Sequence, residues 1–153
     1  MLQPGAPAPD FTLPRDGGGT VSLADLRGKT VVMFFYPRDD TSGCTKESIA
    51  FSEHLAAFEA AGATVLGVSK DSVKSHDKFR DKHDLKVALL SDEEGDLCER
   101  CGVWKEKNMY GKTYMGIERT TVLIGADGTV LRVWPKVKVP GHVEEVLDAV
   151  RAL

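Results

Sequence analysis

Cys44 holds the position in this chain best suited to nucleophilic chemistry. It ends the segment Pro37-Arg38-Asp39-Asp40-Thr41-Ser42-Gly43-Cys44, which follows the unbroken apolar run Val31 to Tyr36. After it, Thr45-Lys46-Glu47-Ser48-Ile49-Ala50-Phe51 switches to helical spacing. The run reads as a fully buried strand, so the cysteine falls where a core strand ends and a helix begins. First-turn N–H groups have no carbonyl one turn behind them, and the positive end of the helix dipole favours a thiolate over a thiol. The competing reading is a buried structural thiol, since free cysteine is among the most buried residue types. Gly43, which permits close backbone approach, and the polar neighbours Thr41 and Ser42 favour the nucleophile.

Cys98 and Cys101 form a C-x-x-C pair, the spacing of a redox couple or of half a zinc site. Zinc wants four ligands, and neither a second C-x-x-C nor a His pair accompanies it, so no metal or other cofactor is expected. A thioredoxin-type pair opens a helix, whereas these two read toward the end of one. They are expected to be two small, semi-buried packing residues. His54, His76, His83 and His142 are scattered and read as surface or capping residues.

The elements that must position Cys44 follow from periodicity and turn residues. After Pro4, Pro7, Pro9 and Pro14, the cluster Asp16-Gly17-Gly18-Gly19 is a turn. A short element follows over Thr20 to Leu26, with Ser22 as an N-cap candidate. A helix is predicted from Cys44 to about Ala61, its inward stripe set by Phe51, Leu55 and Phe58. Thr64 to Val68 reads as a strand, Ser72 to His83 as a helix and Val87 to Leu90 as a short strand. Ser91 or Asp92 caps a helix running through Cys98. Thr120–Ile124 and Thr129–Trp134 flank Gly125-Ala126-Asp127-Gly128 as a hairpin. His142 to Leu153 closes the chain as an amphipathic helix with Val143, Val146, Leu147 and Val150 inward. Strands alternating with helices, then a hairpin and a last helix, predict a mixed α/β sheet with helices on both faces and a thioredoxin-like order.

At 153 residues the chain suits one domain spanning 1–153. A 42% hydrophobic and 28% charged composition is that of a globular protein, and a net charge of −3 argues against nucleic acid or anionic membrane as partners. No apolar stretch reaches the roughly 20 residues of a membrane span, and Met1 to Gly5 lacks the basic and apolar regions of a leader. A cytoplasmic location is expected, where three cysteines are reactive or plainly structural rather than a disulfide scaffold.

The spacing Pro37-x-x-x-Thr41-x-x-Cys44 resembles the active-site signature of the peroxiredoxins. The longer stretch Phe35 to Glu47 is similar to the Q-type branch, also called bacterioferritin comigratory protein. The likeness extends through Leu90-Ser91-Asp92, Gly102-Val103-Trp104, Tyr110 to Ile117 and Arg119-Thr120-Thr121. It implies a thiol-dependent peroxidase in which Cys44 attacks H2O2 or an organic hydroperoxide and becomes a sulfenic acid. Thr41 would place its hydroxyl beside the thiolate and the incoming oxygen. Arg119 would supply a fixed positive charge, and Pro37, without an N–H, would shield the sulfur. Backbone N–H groups of Gly43 and Cys44 would add donors, and Glu47 would hold Arg119 by an ion pair. Singly, each has a plainer reading: an N-cap, a surface charge, a strand stop, an exposed helix carboxylate.

One departure matters. Many Q-type enzymes carry a resolving cysteine five positions beyond the peroxidatic one, and here that position is Ile49. Another branch places it on the next helix, near Arg80, where no cysteine lies either. Recycling must therefore use Cys98 or Cys101, or an external thiol: thioredoxin, glutaredoxin or a small thiol. A monomer is expected. A thiol–disulfide oxidoreductase would need a second cysteine close to Cys44. A redox sensor on the same fold remains the non-enzymatic alternative.

Overall fold

The computed structural model describes residues 2–153. Along the chain run β1 (Thr12–Pro14), β2 (Thr20–Ser22), a 3-10 turn (Leu23–Leu26) and β3 (Thr30–Phe35). Next come α1 (Ser42–Glu53), α2 (Leu55–Ala60), β4 (Ala63–Ser69), α3 (Val73–His83) and β5 (Ala88–Ser91). The remainder is α4 (Leu97–Arg100), β6 (Trp104–Met109), β7 (Lys112–Ile117), β8 (Thr120–Ile124), β9 (Val130–Trp134) and α5 (His142–Arg151). The central sheet has the order β5-β4-β3-β8-β9. β3, β4 and β5 are mutually parallel, while β8 is antiparallel to β3 and β9 to β8. This is the mixed, thioredoxin-like sheet that the alternation of elements predicts.

β3 is the axis of the core because it is apolar on both faces. Val31, Met33 and Phe35 point into one cluster with Leu23, Leu97, Cys98 and Cys101. Val32, Phe34 and Tyr36 point into the other with Cys44, Phe51, Phe58, Phe79 and the inward residues of α5. Strand side chains alternate faces, so the sheet itself lies between the two clusters. Phe34 stacks on Phe51 at 4.4 Å between ring centroids, which docks α1 directly on β3. Each such buried ring contributes about 1.5–3 kcal/mol relative to exposure.

The structure corrects four expectations. The helix expected through Ala61 is two helices, broken at His54, whose φ of −97° and ψ of 2° leave the helical region. Its ring nitrogen Nδ1 lies 2.9 Å from the Ala50 carbonyl and closes the first helix. His76 and His142 are buried rather than surface or capping residues. His76 lies between Val73 and Phe79 at helical spacing of three, on the inward stripe of α3, and His142 meets the Thr121 hydroxyl at 2.8 Å. Cys98 opens α4 rather than ending it, because the Asp92 carboxylate accepts the Leu97 and Cys98 amides at 3.1 and 2.8 Å. Cys98 and Cys101 are also fully buried, not semi-buried.

Candidate active site

Cys44 is the third residue of α1, and the first helical bond runs from the Thr45 amide to the Thr41 carbonyl at 2.8 Å. The amides of Ser42, Gly43 and Cys44 thus precede the first bonded amide of the helix. Cys44 is buried, 1% exposed, in the core cluster that also holds Phe34 and Phe51. Arg119 reaches it from 75 residues away: Nη2 lies 3.3 Å from Cys44 Sγ. The sheet register explains the meeting. Phe35 pairs with Thr120 across the antiparallel β3–β8 ladder, so the residue just before β8 falls beside the end of β3. The other guanidinium nitrogen, Nη1, donates to Glu47 Oε1 at 2.7 Å. One planar fork therefore spans the cysteine and a carboxylate one helical turn further on.

Gly43 has a geometric reason to be glycine. A Cβ built there would lie 3.0 Å from Arg119 Nη2, so any side chain would press the arginine away. Thr41 occupies the N-cap position on the exposed rim of the site, and its hydroxyl donates to the Arg38 carbonyl at 2.9 Å. Pro37 is half-buried where the chain leaves β3, immediately after Tyr36.

Burial dominates the electrostatics. It pushes the Glu47 carboxyl up from 4.5 to about 7, against the pull of the Arg119 charge and hydrogen bond. Glu47 Oε2 is buried with no hydrogen-bond partner among the described residues, consistent with a carboxyl that is costly to ionise. Lys107, from β6, belongs to the same field. Burial and then the Arg119 charge hold its ammonium below the ordinary value, while Cys44 and Glu118 oppose them. Burial also pushes the Cys101 thiol up to about 12, and drives Cys98 still higher with help from Asp92. All three thiols are free.

The loop that presents Cys44 is tied to α3 in two places. Asp39 is buried and meets His76 Nδ1 at 2.7 Å, while its amide donates to Asp71 at 2.8 Å. Asp40, at a φ of 58°, pairs with Lys82 at 2.7 Å and His83 at 2.9 Å on the surface. Those contacts, His83 first, hold the Asp40 carboxyl below its usual range. From the sequence, Asp39 and Lys107 have no assigned role and His76 reads as a surface or capping residue. For His76 the signal was present in the Val73, His76, Phe79 spacing. Among the described residues, no group of three or more His, Cys, Asp or Glu is placed to hold a metal. No helix there is long and apolar enough to cross a membrane.

Comparison with known proteins agrees with this geometry. Residues 4–133 match the AhpC/TSA family. A putative peroxiredoxin Bcp of Coxiella burnetii is 53% identical over 146 residues, covering 95% of this chain and 97% of the other. Peroxiredoxin Bcp of Bacillus subtilis is 45% identical over 150 residues, 98% and 96% of the two chains. Xanthomonas campestris peroxiredoxin Q superposes with a TM-score of 0.88 at 47% identity, over 93% of this chain and 90% of that one. A Xylella fastidiosa PrxQ mutant reaches a TM-score of 0.94 at 41% identity, over 99% and 97%. With that family match and relatives this similar along nearly the whole chain, the protein belongs to the AhpC/TSA family, among the Bcp or Q-type peroxiredoxins, and is a thiol-dependent peroxidase.

Proposed function

We propose that Cys44 is the peroxidatic nucleophile and that an external thiol regenerates it. One observation carries the first half: the guanidinium of Arg119 lies 3.3 Å from Cys44 Sγ while Glu47 holds its other arm at 2.7 Å. The thiolate attacks the nearer oxygen of a hydroperoxide. An S–O bond forms as the O–O bond breaks, and the leaving oxygen takes a proton and departs as water or an alcohol. Cys44 is left as a sulfenic acid, oxidised by the two electrons that reduce the peroxide. The fixed charge of Arg119 opposes the negative charge that moves from sulfur to the leaving oxygen. Thr41, at the rim, and Pro37, at the loop entrance, bound the approach to the sulfur. Organic hydroperoxides belong in the substrate class alongside H2O2. A structure of the Xanthomonas campestris bacterioferritin comigratory protein concerns its alkyl peroxide reduction activity, and that relative is 46% identical to this chain.

Two observations support external resolution. Ile49 stands where a same-helix resolver would be. Cys98 and Cys101 pack in the cluster on the opposite face of the sheet from Cys44, and burial disfavours both thiolates. A disulfide needs Cα atoms within about 7 Å, which a sheet placed between the partners prevents without unfolding. Thioredoxin, glutaredoxin or a small thiol therefore condenses with the sulfenic acid and expels water. A second thiol then reduces the mixed disulfide. Three free cysteines suit a reducing compartment, and we place the chain in the cytoplasm. Replacing Cys44 with Ser tests the reading: stopped-flow peroxide consumption should vanish while the circular dichroism spectrum is retained. Substantial turnover in Cys44→Ser would sink it.

A further inference from the structure

The loop between β3 and α1 carries Pro37 and Thr41 and leads directly into Gly43 and Cys44, and Asp39 within it is a buried side-chain anchor. That carboxylate accepts the Tyr36 hydroxyl at 2.6 Å on Oδ1, and the Ser75 hydroxyl at 2.8 Å on Oδ2. His76 Nδ1 stands 2.7 Å from the same Oδ2, and its Nε2 stands 2.9 Å from the Leu90 carbonyl oxygen. A neutral imidazole has a single N–H and would present a lone pair to one of these two oxygens. Both contacts are satisfied together only when both ring nitrogens carry protons. The ring is 0% exposed, so an unsatisfied contact there would be costly.

We propose that His76 is a positioning residue for peroxide reduction, its imidazolium fixing Asp39 so that the Pro37–Cys44 loop holds the sulfur against Arg119, and that loss of the ring proton loosens this loop. The proposal rests on Cys44 being the nucleophile. The charged or titratable groups facing the ring are Asp39 in the loop, Tyr36 at the end of β3 and Asp71 between β4 and α3. Burial and the neighbouring Asp39 push the Tyr36 hydroxyl well above its ordinary value, so Tyr36 remains a donor throughout. For His76, burial pulls the ring down, but the Asp39 hydrogen bond and charge, the Leu90 carbonyl and Asp71 outweigh it, and the net direction is up. A cation raised in this way gives its full contribution below the free value of about 6.5 and loses it as pH climbs through the raised one. The loop is thus held below the free-histidine value and released as pH rises through the raised one. Asp40 with Lys82 and His83 forms a second tie, but it is exposed and correspondingly weak.

The test begins with the wild-type protein. In histidine-labelled protein, ring-nitrogen NMR at about pH 6.5 should show both nitrogens of His76 protonated, with titration above the free-histidine value. A ring carrying a single proton at that pH overturns the proposal, with no variant needed. The second measurement compares wild type with His76→Asn, which keeps a donor toward Asp39 but cannot carry the charge. Amide exchange over residues 39–44 should be about tenfold faster in the variant near pH 6, and the two proteins should converge as pH rises through the raised value and the wild-type ring loses its proton. The second-order rate of peroxide reduction should show the same convergence. A variant-to-wild-type ratio that stays constant with pH, in exchange or in rate, refutes the positioning role and leaves only a structural one. Ring protonation and amide exchange do not depend on which group attacks peroxide, so their failure is separable from that of the Cys44 assignment, which Cys44→Ser decides.

Discussion

Glu47→Gln isolates the cost of keeping a carboxylate beneath the active-site arginine. The side chain is fully buried, one oxygen accepts Arg119 Nη1 at 2.7 Å, and the other has no partner among the described residues. Its carboxyl rises from 4.5 in the unfolded chain to about 7 in the fold. Because the folded value is the higher one, the folded state holds this proton more tightly. The stability linked to it is complete below about pH 4.5 and is lost as pH rises through about 7. At about 1.4 kcal/mol for each pH unit separating those values, the loss is about 3 kcal/mol by pH 8.5. Gln preserves the shape and an oxygen for Arg119 to donate to, but has no proton to lose. Urea unfolding of both proteins at several pH values between about 5 and 8.5 reads the effect directly. The remaining titratable groups are common to both proteins, so the difference between the two stability curves reports Glu47. That difference should move in favour of Glu47→Gln by about 2.5 kcal/mol across the range, since part of the linked stability is already lost at about pH 5. Curves that run parallel, or that diverge in the opposite sense, would show that burial does not control this carboxyl, and the account of the site's electrostatics would fail.

Three further outcomes follow from the same geometry. Arg119→Met keeps bulk and removes the charge 3.3 Å from the sulfur; peroxide reduction should slow by about 10²–10³. A variant that keeps the wild-type rate would place Arg119 outside the site. Gly43→Ala should stabilise α1 by up to about 1 kcal/mol through helix propensity, yet slow the reaction, because the new Cβ meets Arg119 Nη2. A variant that is both more stable and fully active would contradict the crowding argument. The Cys98→Ser, Cys101→Ser double variant should keep its activity with an external thiol. Mass analysis of wild type after one equivalent of H2O2 should show Cys44 oxidised without a crosslink, and an internal disulfide forming as fast as turnover would make one of those cysteines the resolver.

What the chain discloses before folding depends on how locally each feature is encoded. β3 and the stripe of Phe51 and Phe58 are read from contiguous residues, and so is the inward face of α5. Cys44 at its junction is local in the same sense. The β6–β7 hairpin is not. Its strands are largely exposed and carry no apolar alternation, and its turn puts Tyr110 and Gly111 at φ of 53° and 76°. A two-residue turn of this hand usually signals itself by Asn or Gly first, and a tyrosine there conceals it. The break at His54 is hidden for a related reason. Phe51 and Phe58 keep their helical spacing across it, so the hydrophobic pattern continues where the backbone does not. His76 was legible in principle, but its partner Asp39 is 37 residues away, and a buried ion pair leaves no periodic trace.

The mixed topology accounts for how Cys44 and Arg119 come together. β3 is parallel to β4 and β5, so these strands end at one edge of the sheet, and the chain turns there into α1 with Cys44 in its first turn. Another parallel strand beside β3 would begin at the far edge, and a residue preceding it would lie a strand's length from the sulfur. β8 is antiparallel to β3, so it begins where β3 ends, with Thr120 opposite Phe35. Arg119, one residue earlier, is delivered to the edge where Cys44 waits. Phe35, Ser69 and Ser91 end the three parallel strands at that same edge, and Ser69 and Ser91 both bond to Asp71, by its side chain and its carbonyl. Asp71 in turn receives the Asp39 amide. The parallel half of the sheet therefore supplies the nucleophile and the buried network that steadies its loop, and the antiparallel half supplies the charge. Neither half contains the site alone, which is why Cys44 and Arg119 stand so far apart in the chain and 3.3 Å apart in the fold.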